Sequence, residues 1–197
     1  MAKAPVPGFA KTRLIPLIGA HAAAVLQEHL TERAVEAAAQ AGIGPVTLWC
    51  TPDLRHVSFR ELAVRYSIAL RRQPDGDLGA RMLAAMAAHD RPTLVIGTDC
   101  PALTAQHLRA AAGALRDGAE VVLIPAEDGG YVLMGTHVPC PALFDGMMWG
   151  TDTVLAETRA RIAALGLRTR ELDTLWDVDD ESDLARLERE HPALALG

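Results

Sequence analysis

Apolar residues recur at helical spacing from about Ala20 to Ala41, in a stretch rich in Ala, Leu and Glu, and the pattern predicts a long helix ending at the C-cap Gly42. A short β-prone run follows, Pro45 to Cys50 (PVTLWC), closed by Thr51-Pro52-Asp53. Val57 to Tyr66 reads as a second helix and Ser67 to Leu70 as a second strand. Beyond the loop Pro74-Asp75-Gly76-Asp77 come a helix through Ala88, the strand Thr93 to Gly97 and a helix from about Thr104 to Arg116. Ala119 to Pro125 (AEVVLIP) is apolar almost throughout, the mark of a strand buried on both faces. Tyr131 to Gly135 reads as a further strand, Thr151 to Leu165 as a helix, Leu167 to Leu172 as a strand and Asp180 to Glu190 as a final helix. This alternation implies a three-layer α/β/α fold around a mostly parallel sheet, covered on both faces. No repeat, low-complexity tract or linker divides it, so residues 1–197 are expected to form a single domain.

In sheets of this kind ligands bind beyond the carboxyl ends of the strands, where loops enter helix N-termini. The unusual residues of the chain fall at such places. Ala2-Lys3-Ala4-Pro5-Val6-Pro7-Gly8-Phe9-Ala10-Lys11-Thr12-Arg13-Leu14 joins a loop stiffened by two prolines to donors suited to phosphate oxygens, and Gly8 permits close backbone approach. It lacks the glycine spacing of a Walker A loop. The alternative is a proline-rich terminal arm with solvated charges. Ile96-Gly97-Thr98-Asp99-Cys100-Pro101 follows an apolar strand and precedes a helix, so Asp99 stands at the ligand-facing edge of the sheet or caps the helix. A bare carboxylate there would repel a diphosphate, whereas a bridging Mg²⁺ or Mn²⁺ turns the repulsion into attraction. The tandem glycines of Glu127-Asp128-Gly129-Gly130-Tyr131 form a turn, or leave amides open beside Asp128 for sugar hydroxyls.

Before the last helix, Asp177 and Asp179 point to one side of an extended segment, where one or both could complete a cation site opposite Asp99. Asp180, Glu181 and Asp183 are explained by the helix dipole. Two further stretches add weaker candidates. In Gln73-Pro74-Asp75-Gly76-Asp77-Leu78-Gly79-Ala80-Arg81, Arg81 could reach a phosphate or make a surface ion pair. In Met148-Trp149-Gly150-Thr151-Asp152-Thr153, Trp149 could face a base or sugar or pack in the core.

Charge sharpens the picture. The net formal charge is −6, which argues against nucleic acid as a partner, yet Lys3, Lys11 and Arg13 lie within eleven positions that contain no acid. A small anion fits that asymmetry. Cys50, Cys100 and Cys140 form no CxxC pair, and the histidines have no ligand spacing, so neither a disulfide framework nor a zinc site is expected. No apolar run approaches the ~20 residues of a membrane span and no signal peptide opens the sequence, so a cytoplasmic protein is expected.

The combination AKAPVPGFAKTRL, GDLGARM, GTDCPAL, EDGGYVLMG, WGTDTV and WDVDDESDL resembles a bacterial family of glycosyltransferase-like proteins with the nucleotide-diphospho-sugar transferase (GT-A) fold. This is the DUF2064 group, often associated with arsenosugar biosynthesis or with radical-SAM and selenium genes. The resemblance runs over nearly the whole chain, with the motifs in the family's order. It implies an NDP-sugar or NTP site in which Asp99, Lys11 and Asp128 are catalytic. Asp99 and Asp179 hold Mg²⁺ or Mn²⁺, the latter because Val178-Asp179 looks like the VDT-type segment of sugar nucleotidyltransferases. The implied nucleotide or substrate contacts are Lys3, Pro5, Gly8, Lys11, Thr12, Arg13, Gly76, Asp77, Arg81, Thr98, Asp128, Gly129, Gly130, Tyr131, Trp149 and Thr151. The expected reaction is glycosyl transfer from an NDP-sugar to a small acceptor. The alternatives are nucleotidyl transfer from an NTP with release of pyrophosphate, and non-catalytic nucleotide binding. Asp128, Asp152 and Asp177 are all candidates for a general base. Relatives carry an apolar strand directly ahead of the AKAPVPG loop, whereas here the loop begins at residue 2. The expectation is therefore a fold lacking its first strand, with Met1 an internal methionine of a longer protein.

Overall fold

The computed structural model describes residues 1–194. The chain divides into two compact units that it enters more than once: Met1–Gln73, Gly97–Thr104 and the chain from Asp177 form unit 1, and Pro74–Ile96 with Ala105–Trp176 form unit 2.

Unit 1 is built on a three-stranded parallel sheet of Ala2–Lys3 (β1), Thr47–Thr51 (β2) and Ala69–Arg72 (β3), in the order β1-β2-β3. A first strand is therefore present, in a two-residue form that pairs Ala2 with Cys50 and Lys3 with Thr51. Alternation along it buries Ala2 and Ala4 and leaves Lys3 exposed. Two helices belong to this sheet. Ile15–Ala41 (α1) starts earlier than its periodicity suggests, because Pro16 suits a first turn, and it is broken at Gly19 (φ 81°, ψ 160°), so the regular part begins where the apolar pattern does. Gly42, with φ 63°, closes it as the C-cap. Val57–Tyr66 (α2) ends at Ser67, whose left-handed backbone (φ 52°) caps the helix and delays β3 by two residues relative to the sequence pattern. Ala2, Ala4, Val35, Leu48, Cys50, Phe59 and Leu62 form the core between these elements. Burial pushes the Cys50 thiol up to about 12, so it behaves as an apolar packing residue.

The last helix of unit 1, Glu181–Glu190 (α6), opens with a complete capping box. The Asp180 carboxylate accepts from the amides of Ser182 and Asp183 at 2.9 and 3.1 Å, and Asp183 accepts from the amides of Asp179 and Asp180 at 2.9 and 3.0 Å. These acids are thus occupied in starting a helix, as their place at a positive dipole end predicts.

Unit 2 contains Leu78–Ala87 (α3), Thr93–Ile96 (β4), Ala105–Arg116 (α4), Val121–Pro125 (β5), Tyr131–Thr136 (β6), Val154–Ala164 (α5) and Thr169–Glu171 (β7). Its sheet has the order β4-β6-β5-β7 and is mixed: β5 and β7 are parallel, whereas β6 runs antiparallel to both β4 and β5. Among the described strands β6 alone runs against its sheet, in keeping with the expected mostly parallel arrangement. Only residues 126–130 separate β5 from β6, far fewer than a parallel crossover needs. Every residue of β5 is buried, in keeping with its unbroken apolar run. Leu108, Ala111 and Leu115 form the buried face of α4. Gly135 fits because there is no side chain: a Cβ would lie 2.3 Å from Leu94 and 2.7 Å from Val122. Among the described residues no helix is long and apolar enough to cross a membrane.

Candidate functional site

Unit 1 brings together residues that are far apart in sequence. Lys11 has a left-handed backbone (φ 44°), unusual for a residue with a Cβ, within a loop whose turns are closed by Phe9 and Ala10 amides donating to the Val6 carbonyl. Its side chain is only 5% exposed, and its ammonium has two close acceptors, Asp99 Oδ1 at 2.8 Å and the Val178 carbonyl at 2.7 Å, with Asp179 Oδ1 in a looser ion pair at 3.6 Å. The two carboxylates are themselves 43% and 44% exposed. A buried cation thus lies between two acids that remain open to solvent. Arg13 reaches Asp179 Oδ2 at 3.3 Å with a side chain 71% exposed, an ion pair weakened by water and free to re-form elsewhere.

Two backbone devices fix this arrangement. The Val178 amide donates to the Asp99 carbonyl at 3.0 Å, tying the loop after β4 to the segment before α6. The Asp179 amide is held by Asp183 through the capping box. Asp99 lies six residues ahead of Ala105, the first residue of α4, too far to cap that helix. Its carboxylate is bound by side chains instead. Gln27, only 4% exposed on the apolar face of α1, directs its amide nitrogen toward Asp99 Oδ1 at 3.4 Å and toward the hydroxyls of Thr98 and Thr31, both at 3.3 Å. Sequence reading missed Gln27. The available signal is a polar residue among Ala23, Ala24, Leu26, Leu30 and Ala34 on the buried face of the helix.

The other expected contacts of unit 1 are distributed as follows. Thr98 is 5% exposed and accepts from Gln27. Pro5 is buried, while Lys3, Gly8 and Thr12 are exposed. Among the described residues no group of three or more His, Cys, Asp or Glu side chains could hold a metal ion. Asp99 and Asp179 are the two carboxylates beside the Lys11 ammonium, and a cation held there would need further ligands from outside the protein.

Unit 2 gathers a second group. Asp128 closes its own turn, accepting from the Gly130 amide at 2.8 Å. Gly129 (φ 88°) lies directly on the backbone of Asp152: a Cβ there would sit 2.2 Å from its carbonyl oxygen. The Leu155 amide donates to the Gly129 carbonyl at 2.8 Å, which seats the glycine pair against the start of α5. Thr151 lies beside it, its hydroxyl shared with Thr153 at 2.9 Å and donating to the Met148 carbonyl. Tyr131 is largely buried, with its phenol near Thr158, and burial drives its ionisation upward, away from any role as a base. Trp149 covers Gly79, where a Cβ would meet its ring at 2.8 Å, and stacks on Phe144 with ring centroids 6.3 Å apart. The indole is engaged in packing. Asp77 is the N-cap of α3, accepting from the Ala80 amide at 2.8 Å, with Gly76 (φ 118°) beside it; Arg81 lies in the first turn, its Nε buried.

The close approach of Gly129 predicts a stability effect. Gly129→Ala meets both a left-handed backbone and a backbone clash, and should cost about 3 kcal/mol, lowering Tm by roughly 6–12 °C. Gly146→Ala, also at positive φ but with open space around it, should cost only about 1 kcal/mol. Equal Tm shifts would contradict the packing of Gly129 on Asp152.

Comparison with known proteins gives a consistent picture. A family model described as "Uncharacterized protein conserved in bacteria (DUF2064)" matches residues 34–151. No curated protein sequence matches. A crystal structure from Desulfovibrio desulfuricans G20, provisionally named a nucleotide-diphospho-sugar transferase, is 27% identical with a TM-score of 0.85, over 95% of this chain and 84% of that one. More distant folds of the same kind are a CMP:2-keto-3-deoxy-manno-octonic acid synthetase complexed with CTP (13% identity, TM-score 0.59, covering 98% and 96%) and a cytidylyltransferase from Leptospira borgpetersenii serovar Hardjo-bovis strain JB197 (12%, 0.54, covering 84% of each chain).

Proposed function

Because the chain belongs to the bacterial DUF2064 family and has the nucleotide-diphospho-sugar transferase fold, we propose that it transfers a glycosyl group from an NDP-sugar to a small acceptor, using Mg²⁺ or Mn²⁺ held by Asp99 and Asp179. The observation that carries this reading is the Lys11 ammonium seated between those two carboxylates. A place that already holds a cation between two solvent-open acids is a place where a divalent ion has ligands waiting. Charge counting supports the same conclusion. Lys11 and Arg13 cancel Asp99 and Asp179, so the cluster alone has no net attraction for a diphosphate; one divalent ion gives it two positive charges.

When bound, the ion would supply charge stabilisation for the departing diphosphate. The chain's own groups do the rest. Lys11 and Arg13 are the phosphate donors, Lys3 adds to the positive field of the loop, and the exposed turn at Asp128 is the proposed sugar or acceptor contact. The described position of Trp149 favours a packing role over contact with a base.

Nucleotidyl transfer is the second reading, favoured by the shared fold of a synthetase that binds CTP and of a cytidylyltransferase. The two are separated by products. With Mn²⁺ and a panel of NDP-sugars, release of free NDP is expected; release of pyrophosphate from an NTP, with no NDP from any sugar donor, would replace the first reading by the second.

A further inference from the structure

We infer that Gln27 is a positioning residue for Asp99, holding one carboxylate oxygen so that the other is presented to the cation; the inference rests on the metal-binding reading above. A primary amide buried to 4% exposure in the apolar face of α1 loses its hydration, and such a group is retained only where its hydrogen bonds are made. A leucine or alanine would continue the pattern of Ala23, Leu26 and Leu30 without that penalty. The partners of Gln27 therefore show what the amide is for. Its nitrogen faces the Thr31 hydroxyl one turn along the helix and, 71 and 72 positions away in sequence, the Thr98 hydroxyl and Asp99 Oδ1.

Thr31 is itself anchored, donating to the Gln27 carbonyl at 2.7 Å, so the hydroxyl offered to the amide is fixed from the helix side. The amide consequently links a rigid helix to the loop that carries the proposed metal ligand. Both Gln27 and Lys11 engage Oδ1 of Asp99, and Oδ2 is the oxygen that neither of them uses. The two donors differ in permanence. Lys11 is the group expected to turn to a phosphate, whereas Gln27 is locked in the core and keeps its grip on Oδ1 in either state. A ligand carboxylate with one oxygen fixed from behind loses less rotational freedom when it takes a metal, and losing an outer hydrogen bond of this kind typically costs about 10–100-fold in metal affinity.

The test measures Mn²⁺ binding by electron paramagnetic resonance in the presence of inorganic pyrophosphate, on the full chain and on Gln27→Met, which keeps the length of the side chain and removes its donor. Gln27→Met is expected to weaken Mn²⁺–pyrophosphate binding by about 10–100-fold with an unchanged or raised Tm. Binding within twofold of the unaltered protein overturns the inference. Asp99→Asn, run alongside, separates the two claims. If it abolishes binding while Gln27→Met does not, only the role of Gln27 falls; if it binds normally, the metal reading falls and this one with it. Should Gln27→Met fail to fold, the unaltered protein decides: the side-chain amide resonances of Gln27 are expected to shift when Mg²⁺ and pyrophosphate are added together, and unmoved resonances overturn the inference.

Discussion

Asp99→Asn is expected to abolish the metal dependence of nucleotide binding while leaving the chain folded. Asparagine keeps the shape and an acceptor oxygen for Gln27 and Lys11, but it removes the charge that a hard cation requires. The expected loss of affinity for an NDP in the presence of Mn²⁺ is on the order of 100-fold, equivalent to about 2.8 kcal/mol. Without metal, the variant should bind the same nucleotide somewhat more tightly than the parent, because the cluster gains one net positive charge. Calorimetric titration with CDP, UDP, GDP and ADP, with and without Mn²⁺, makes the comparison. An unchanged Mn²⁺ effect would remove Asp99 from the site.

Lys11→Met should produce two effects of opposite sign. Methionine keeps an apolar stem in the place of a side chain that is 5% exposed, so the loop retains its packing. Loss of the ammonium removes a charge-assisted bond to phosphate and should weaken NDP binding by about 10–100-fold, with no change in affinity for the matching nucleoside. Bare Mn²⁺, by contrast, should bind more tightly. In the parent protein the ammonium stands 2.8 Å from one carboxylate and 3.6 Å from the other, and a metal ion must displace it. Equal losses for nucleotide and nucleoside, or a weaker grip on bare Mn²⁺, would contradict the placement of Lys11 as a cation that gives way to metal.

Much of this was legible in the sequence, and the parts that were not have physical reasons. The βα alternation gave element types because long apolar runs such as β5 and periodic segments such as α1 are set by burial, which the chain writes directly. The antiparallel return of β6 is legible in the chain as well, because the connection at 126–130 is too short for a parallel crossover. Boundaries moved where backbone conformation, not side-chain type, decides, as at Ser67 and Gly19. At the candidate site the acids stood out because each follows or precedes a clear element; Asp180 and Asp183 were set apart by the helix dipole, and Asp179 was singled out by its likeness to the VDT-type segment of sugar nucleotidyltransferases. Gln27 was invisible for another reason. Two of its three partners lie 71 and 72 residues away, and in one dimension a lone polar residue on an apolar face looks like tolerated noise. The opposite error threatened at Trp149, where an aromatic in a motif suggests a ligand but stacks on Phe144 over Gly79.

The capping box before α6 couples grip to durability. Because Asp183 immobilises the backbone at Asp179 by starting a helix, the backbone entropy beneath that carboxylate is surrendered while the chain folds and would not be deducted again if the carboxylate took a ligand. The same few residues therefore govern both the melting of the chain end and the strength of its hold on charge. Selection acting on either quantity at this spot moves the other in the same direction.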